Sequence, residues 1–210
     1  MIRKIAQLFA GFALLASGIL YVQFARPAAS AQTPTVKSSA DTSKQKPADA
    51  KMTDAQKIAL AMSAGPAGIT REATIIDITD MSNKQLRAGT NGWVCYADVR
   101  QPMCLDKEWQ KWMTAYMTKA DLKTTGTGIG YMLRGDTGAS NTDPFATAPT
   151  ADNQWVVAPA HIMVIYEDPK MLDSYTTDPK SGGPWVMWKG TPYAHVMVPV
   201  SPTAVAAMSK

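Results

Sequence analysis

The sequence predicts a single α+β domain over residues 52–210: a mainly antiparallel sheet, packed by two or three helices and joined by long ordered loops. Three observations carry this expectation. Strand-like runs outnumber helical ones, and the helices are not regularly interleaved with strands. The stretch holds both cysteines and all six tryptophans, enough apolar material for a core of its own. No repeat of fixed period divides it.

What precedes the domain reads differently. Arg3 and Lys4 form a basic start, Ile5–Ala25 is uncharged and largely apolar, and Ala29-Ser30-Ala31 is a small-x-small tripeptide. That is the layout of a secretory signal peptide, residues 1–31, cut after Ala31. The alternative is an uncleaved membrane anchor, because an apolar run of about 20 residues suffices to span a bilayer. Residues 32–51 are rich in Ser, Thr, Pro, Ala and Lys and cannot bury enough surface to offset their ordering entropy, so they read as a flexible linker. Of the formal +4 charge, the leader accounts for +3 and the linker for +2, which leaves the domain at −1. No concentrated basic patch is visible in the body, so no nucleic-acid partner is expected. The expected location is periplasmic or secreted, with membrane contact only through an uncleaved leader.

Along the domain, Thr53-Asp54-Ala55-Gln56 matches a capping box and opens a helix through Ile58, Ala61 and Met62, ended by Gly65-Pro66. Ala73–Ile78 is β-branched and reads as a strand. Asn83-Lys84 and Gly89–Gly92 read as turns, with Trp93–Tyr96 as a short returning strand. Asp106 is placed as an N-cap for a second helix. Its Trp109, Trp112, Met113, Tyr116 and Met117 recur at helical spacing, a wide apolar face that the sheet is expected to cover. Gly126, Gly128 and Gly130 lack both the dinucleotide fingerprint and a following Gly-Lys-Ser/Thr, and read as a glycine-containing strand or loop. Ala139–Pro144 reads as a loop of Asx-type turns. His161–Tyr166 and His195–Val200 are strong strand candidates. A short helix follows Asp168-Pro169, and Trp185–Trp188 lies between two glycine-proline turns.

Four groups of residues carry chemistry. Cys95 and Cys104 enclose a short loop and, in an oxidising compartment, are expected to form a structural disulfide worth roughly 2–3 kcal/mol. His161-Ile162-Met163 and His195-Val196-Met197 both read His-x-Met inside strand-like runs, so each imidazole stands beside its thioether on one face. If the strands are neighbours, His161, Met163, His195 and Met197 converge as soft ligands suited to copper, especially Cu(I). The plainer reading makes the methionines core residues and the histidines half-buried hydrogen-bonding groups; methionine is common here, with 13 in the chain. No cofactor is otherwise expected.

Trp185, Trp188, Lys189, Tyr193 and His195 crowd one segment, and aromatic and cationic residues at that density suit contact with a small molecule or protein. The competing reading is a tightly turned core segment. An enzyme would have to use His161 or His195, the only histidines. Ser140 and Asp143 lack a nucleophile elbow, and Asp77 with Asp80 is explained by a solvated turn. The function classes are therefore a binding or interaction module first, with soft-metal handling and an enzyme as alternatives.

Three strings, Arg87–Cys95 (RAGTNGWVC), Pro102–Asp106 (PMCLD) with Trp109 and Trp112, and Gly183–His195 (GPWVMWKGTPYAH), together with Ala139–Pro144, resemble a group of exported bacterial proteins with no assigned activity. The resemblance spans roughly residues 58–200. It implies export and a paired cysteine motif, and it carries no activity over to any residue.

Overall fold

The computed structural model describes residues 51–80 and 82–200. The predicted signal peptide, its cleavage site and nearly all of the linker lie outside the described residues. Among the described residues no helix is long and apolar enough to cross a membrane.

The architecture is α+β around a large mixed sheet. Helix α1 (Asp54–Met62) starts at the expected capping box: the Thr53 side chain accepts from the Gln56 amide while Gln56 reaches back to the Thr53 backbone. A single turn, α2 (Ala67–Thr70), leads into β1 (Thr74–Asp77), β2 (Lys84–Arg87), β3 (Val94–Ala97) and β4 (Met103–Leu105). Helix α3 (Lys107–Thr118) is capped by the Asp106 carboxylate, which accepts from the Trp109 amide, and ends at Lys119 in the left-handed region. Then come β5 (Gly128–Met132), β6 (Ala139–Ser140), β7 (Trp155–Val156), β8 (His161–Ile165), a 3-10 turn over Pro169–Ser174, β9 (Trp185–Met187) and β10 (His195–Pro199).

Eight strands form one sheet in the order β2-β1-β3-β4-β5-β8-β10-β9, with β6 and β7 pairing separately. Every neighbour is antiparallel except β1 and β3, which run parallel from Thr74↔Val94 to Asp77↔Ala97. Trp93–Tyr96 therefore does not return against β1 as a hairpin strand. The antiparallel edge of β1 is already taken by β2, and β3 docks on the other edge. The sequence reading placed a turn at Asn83-Lys84. Asn83 does turn, at φ +52°, but Lys84–Arg87 continues as a largely exposed edge strand that carries no apolar alternation to announce it.

The two long helices cover only part of this sheet, on opposite faces. Helix α1 packs on the face carrying Ile75, Cys95 and Cys104, whereas Trp109, Trp112 and Ala115 of α3 pack on the face carrying Met103, Leu105, Met163 and Ile165. Met117, expected on the apolar face of α3, is 70% exposed. Cys95 and Cys104 are directly opposite in the β3–β4 register and form the disulfide, which ties the two strands together immediately ahead of α3.

Candidate functional site

The site follows from the register of four strands. In β8 and β10, Met163 lies opposite Met197. Side chains two residues apart share a face, so His161, Met163, His195 and Met197 all point toward α3. The flanking strands repeat the arrangement. On β5, Met132 is opposite His161, and on β9, Met187 is opposite His195. Each histidine thus has one thioether two residues along its own strand and one across the ladder, in a local two-fold pattern centred on Met163 and Met197.

The strands leave room above this face because β5 presents Gly128 and Gly130 there. A Cβ on Gly130 would lie 2.9 Å from Met163 Cε, 3.1 Å from Leu105 Cδ2 and 3.4 Å from Trp109 Cδ2. The glycine spacing noted in the sequence therefore serves close approach of α3 to the sheet. Beneath the helix lies a cavity of about 100 Å³. Its walls include Met103, Met132, Met163, Met187 and Met197, with Trp109, Trp112 and Trp188, and its polar groups are His161, His195, Asp136 and Gln101.

Both imidazoles are held in the same way. His161 Nδ1 lies 2.6 Å from the Pro159 carbonyl, and His195 Nδ1 lies 2.9 Å from the Tyr193 carbonyl, in each case two residues back. A carbonyl only accepts, so Nδ1 must carry the proton and Nε2 the lone pair. His161 is completely buried and its Nε2 has no partner among the described residues; the Trp109 Nε1–H is likewise unpaired. Burial pushes the pKa of both rings down, that of His195 to about 4, so both are neutral at pH 7. Asp136 faces His161. Burial raises its carboxyl pKa, opposed by the Ala158 and Gly138 amides and by the imidazole.

The ring of His195 is enclosed by Trp188, Trp109 and Trp112, at centroid separations of 5.1, 5.3 and 5.7 Å and nearly perpendicular to all three. From there a stack runs outward through Tyr116 to the exposed ring of Phe145. Trp188 enters this stack with φ +58°, a backbone conformation uncommon for a bulky residue and costing of order 1 kcal/mol. Bonds from its indole N–H to the Ser140 carbonyl and from its amide to the Asn141 carbonyl hold it there.

The segment singled out for aromatic density lies mostly inside the molecule. Trp185 is fully buried and donates to Asn141, Trp188, Tyr193 and His195 line or back the cavity, and only Lys189 is exposed, paired with Asp173. Ser140 and Asp143 are occupied elsewhere. The Ser140 hydroxyl donates to the Asn153 carbonyl and accepts from two amides, and Asp143 accepts from the Phe145 amide. Asp77 is buried against Lys57, and Asp80 accepts from the Ser82 amide.

Met103, Met132, Met187 and Asp136 were not singled out in the sequence. One signal was present: the repeat is longer than His-x-Met, since Ala-His-x-Met-Val occurs at 160–164 and again at 194–198. The cross-strand partners depend on register, which no local string encodes. Among the described residues no three His, Cys, Asp or Glu side chains gather to hold an ion. Comparison of the chain with protein-family models, with curated proteins and with solved structures finds no match.

Proposed function

We propose that this chain is an exported binding protein whose ligand site is the cavity between α3 and the β5-β8-β10-β9 face. The observation that carries the reading is the pair of neutral imidazoles, each locked through Nδ1 to a carbonyl and each contributing to one mostly apolar cavity. A fully buried nitrogen lone pair without a partner costs stability unless something engages it. Apolar walls with a few convergent polar groups are the general form of a ligand site. The volume, about 100 Å³, is well below the several hundred typical of sites for drug-sized molecules and suits an ion or a molecule of a few heavy atoms.

Export is supported by the leader-like residues 1–31 and by the bonded Cys95 and Cys104, a pairing that persists in oxidising compartments. Binding is preferred to catalysis because, among the described residues, no hydroxyl or carboxylate is hydrogen-bonded to either histidine. The test is a melting-temperature screen against small polar molecules and metal ions, with the two histidine ring resonances followed by NMR. At least one ligand should raise the melting temperature and shift the His161 signals. A screen in which both readouts stay flat throughout refutes the reading.

A further inference from the structure

We infer that the ligand of this cavity is Cu(I), held by His161 Nε2 with the thioethers of Met132 and Met163, with Asp136 as the neighbouring counter-charge; this rests on the binding reading above.

The first support is the imidazole. Its Nδ1 proton is committed to the Pro159 carbonyl, and its Nε2 is bare, fully buried and unpartnered. A second-nitrogen bond to a carbonyl is what orients a metal-ligating histidine and fixes its tautomer. That bond leaves Nε2 as the ring nitrogen open to an ion.

The second support is the placement of the thioethers. Met132 is directly across the ladder from His161, and Met163 is two residues along the same strand face. Directly opposed Cβ atoms are roughly 5 Å apart, and same-face neighbours roughly 6.6 Å apart along the strand. Methionine has three rotatable bonds, so both sulfurs can reach an ion lying about 2 Å from Nε2.

The choice of ion follows from charge and softness. Neutral imidazole and thioether are soft donors that select Cu(I), and the described residues lack the cluster of hard ligands that zinc or calcium would need. A doubly charged ion among neutral ligands would be buried with most of its charge uncompensated. Asp136, half-buried beside His161, is the acidic side chain in the cavity wall that can offset a single positive charge.

The two histidines belong to separate sets. The register sets His161 opposite Pro199, four positions from His195, a backbone separation of roughly 13 Å along the strand. The equivalent set on the other side of the two-fold, His195 with Met187 and Met197, has its ring closed in by three tryptophans and no carboxylate beside it. That set is therefore an internal control.

The full chain, expressed for export, would be titrated anaerobically with Cu(I) against a chromophoric Cu(I) chelator, and the loaded protein examined by X-ray absorption. One Cu(I) per chain, with a sulfur-dominated shell and one nitrogen, is expected. Leucine is close to methionine in volume, so Met132→Leu and Met163→Leu keep the fold. Each should weaken Cu(I) binding at least about tenfold and more than Met187→Leu or Met197→Leu does, whereas Met117→Leu, 70% exposed and outside the cavity, should not. Loss of all Cu(I) to the chelator, affinity indifferent to Met132→Leu and Met163→Leu, or loss only in the Met187 and Met197 variants would overturn the assignment. If Cu(I) fails while a small organic molecule raises the melting temperature, the binding reading stands and this one falls; if neither binds, both fall.

Discussion

Met163 and Met197 face one another across the β8–β10 pair, and two residues before each stands a histidine hydrogen-bonded through Nδ1 to a backbone carbonyl. The pair marks the centre of a local two-fold pattern that Met132 and Met187 extend onto the flanking strands. A short repeated string has thus become a repeated three-dimensional unit. Together, under α3, the two halves line one cavity.

The buried histidines make stability depend on pH. The pKa of His195 falls from 6.5 to about 4, chiefly by burial, with His161 shifted in the same direction. The unfolded chain therefore binds more protons between these values. The contribution is fully present above about pH 6.5 and is lost as pH falls toward 4, where it amounts to roughly 3 kcal/mol for His195. Urea denaturation between pH 7.5 and 4 should show the midpoint falling through this window. A midpoint constant from pH 7 to 4.5 would contradict the burial argument.

The Lys57–Asp77 pair should behave as one unit. Their side chains are 4% and 1% exposed. Burial alone would raise the Asp77 pKa, but hydrogen bonds from Lys57 and Thr79 hold it below its usual value. Lys57→Met strands the carboxylate in the core, so it should lower the urea midpoint more than the double variant Lys57→Met/Asp77→Asn does. Strict additivity would mean that the pair is not coupled.

Two glycines give opposite expectations. A Cβ on Gly89 would lie 2.1 Å from the Thr74 amide nitrogen and 2.3 Å from the Ala73 carbonyl carbon, both backbone atoms at the start of β1. Gly89→Ala should cost at least about 2 kcal/mol, by overpacking. Gly68, in α2, has nothing within 4 Å of the added carbon, and Gly68→Ala should be neutral or stabilise by roughly 0.5–1 kcal/mol. Chemical denaturation of the two variants checks both.

Reduction of the Cys95–Cys104 bridge should lower stability by roughly 2–3 kcal/mol and leave the β3–β4 pairing in place once refolded. The comparison is an urea curve with and without reductant. An unchanged curve would remove the bridge from the stabilising interactions.

What could be read in advance was whatever repeats at short range. The caps at Thr53 and Asp106 lie beside the helices they start, and the strand period of two put each histidine on the face of its own methionine. Strands β2 and β4 escaped: Lys84–Arg87 carries one apolar residue, Leu86, and is exposed over its first half, and Met103–Leu105 is buried on both faces and only three residues long, so neither alternates. The parallel pairing of β1 with β3 depends on which edge of β1 is already occupied. The cavity was the least visible feature, because Met132, Met187 and Asp136 reach it through pairings and a turn that bring distant parts of the chain together.

The central claim is that two neutral imidazoles offer bare Nε2 atoms to a common cavity. The chain contains only two histidines, so long-range proton–nitrogen correlation spectra of the labelled protein at pH 7 resolve each ring without ambiguity. The account predicts the Nδ1–H tautomer for both, with a lone-pair shift at each Nε2. An Nε2–H tautomer or an imidazolium at either position would contradict it.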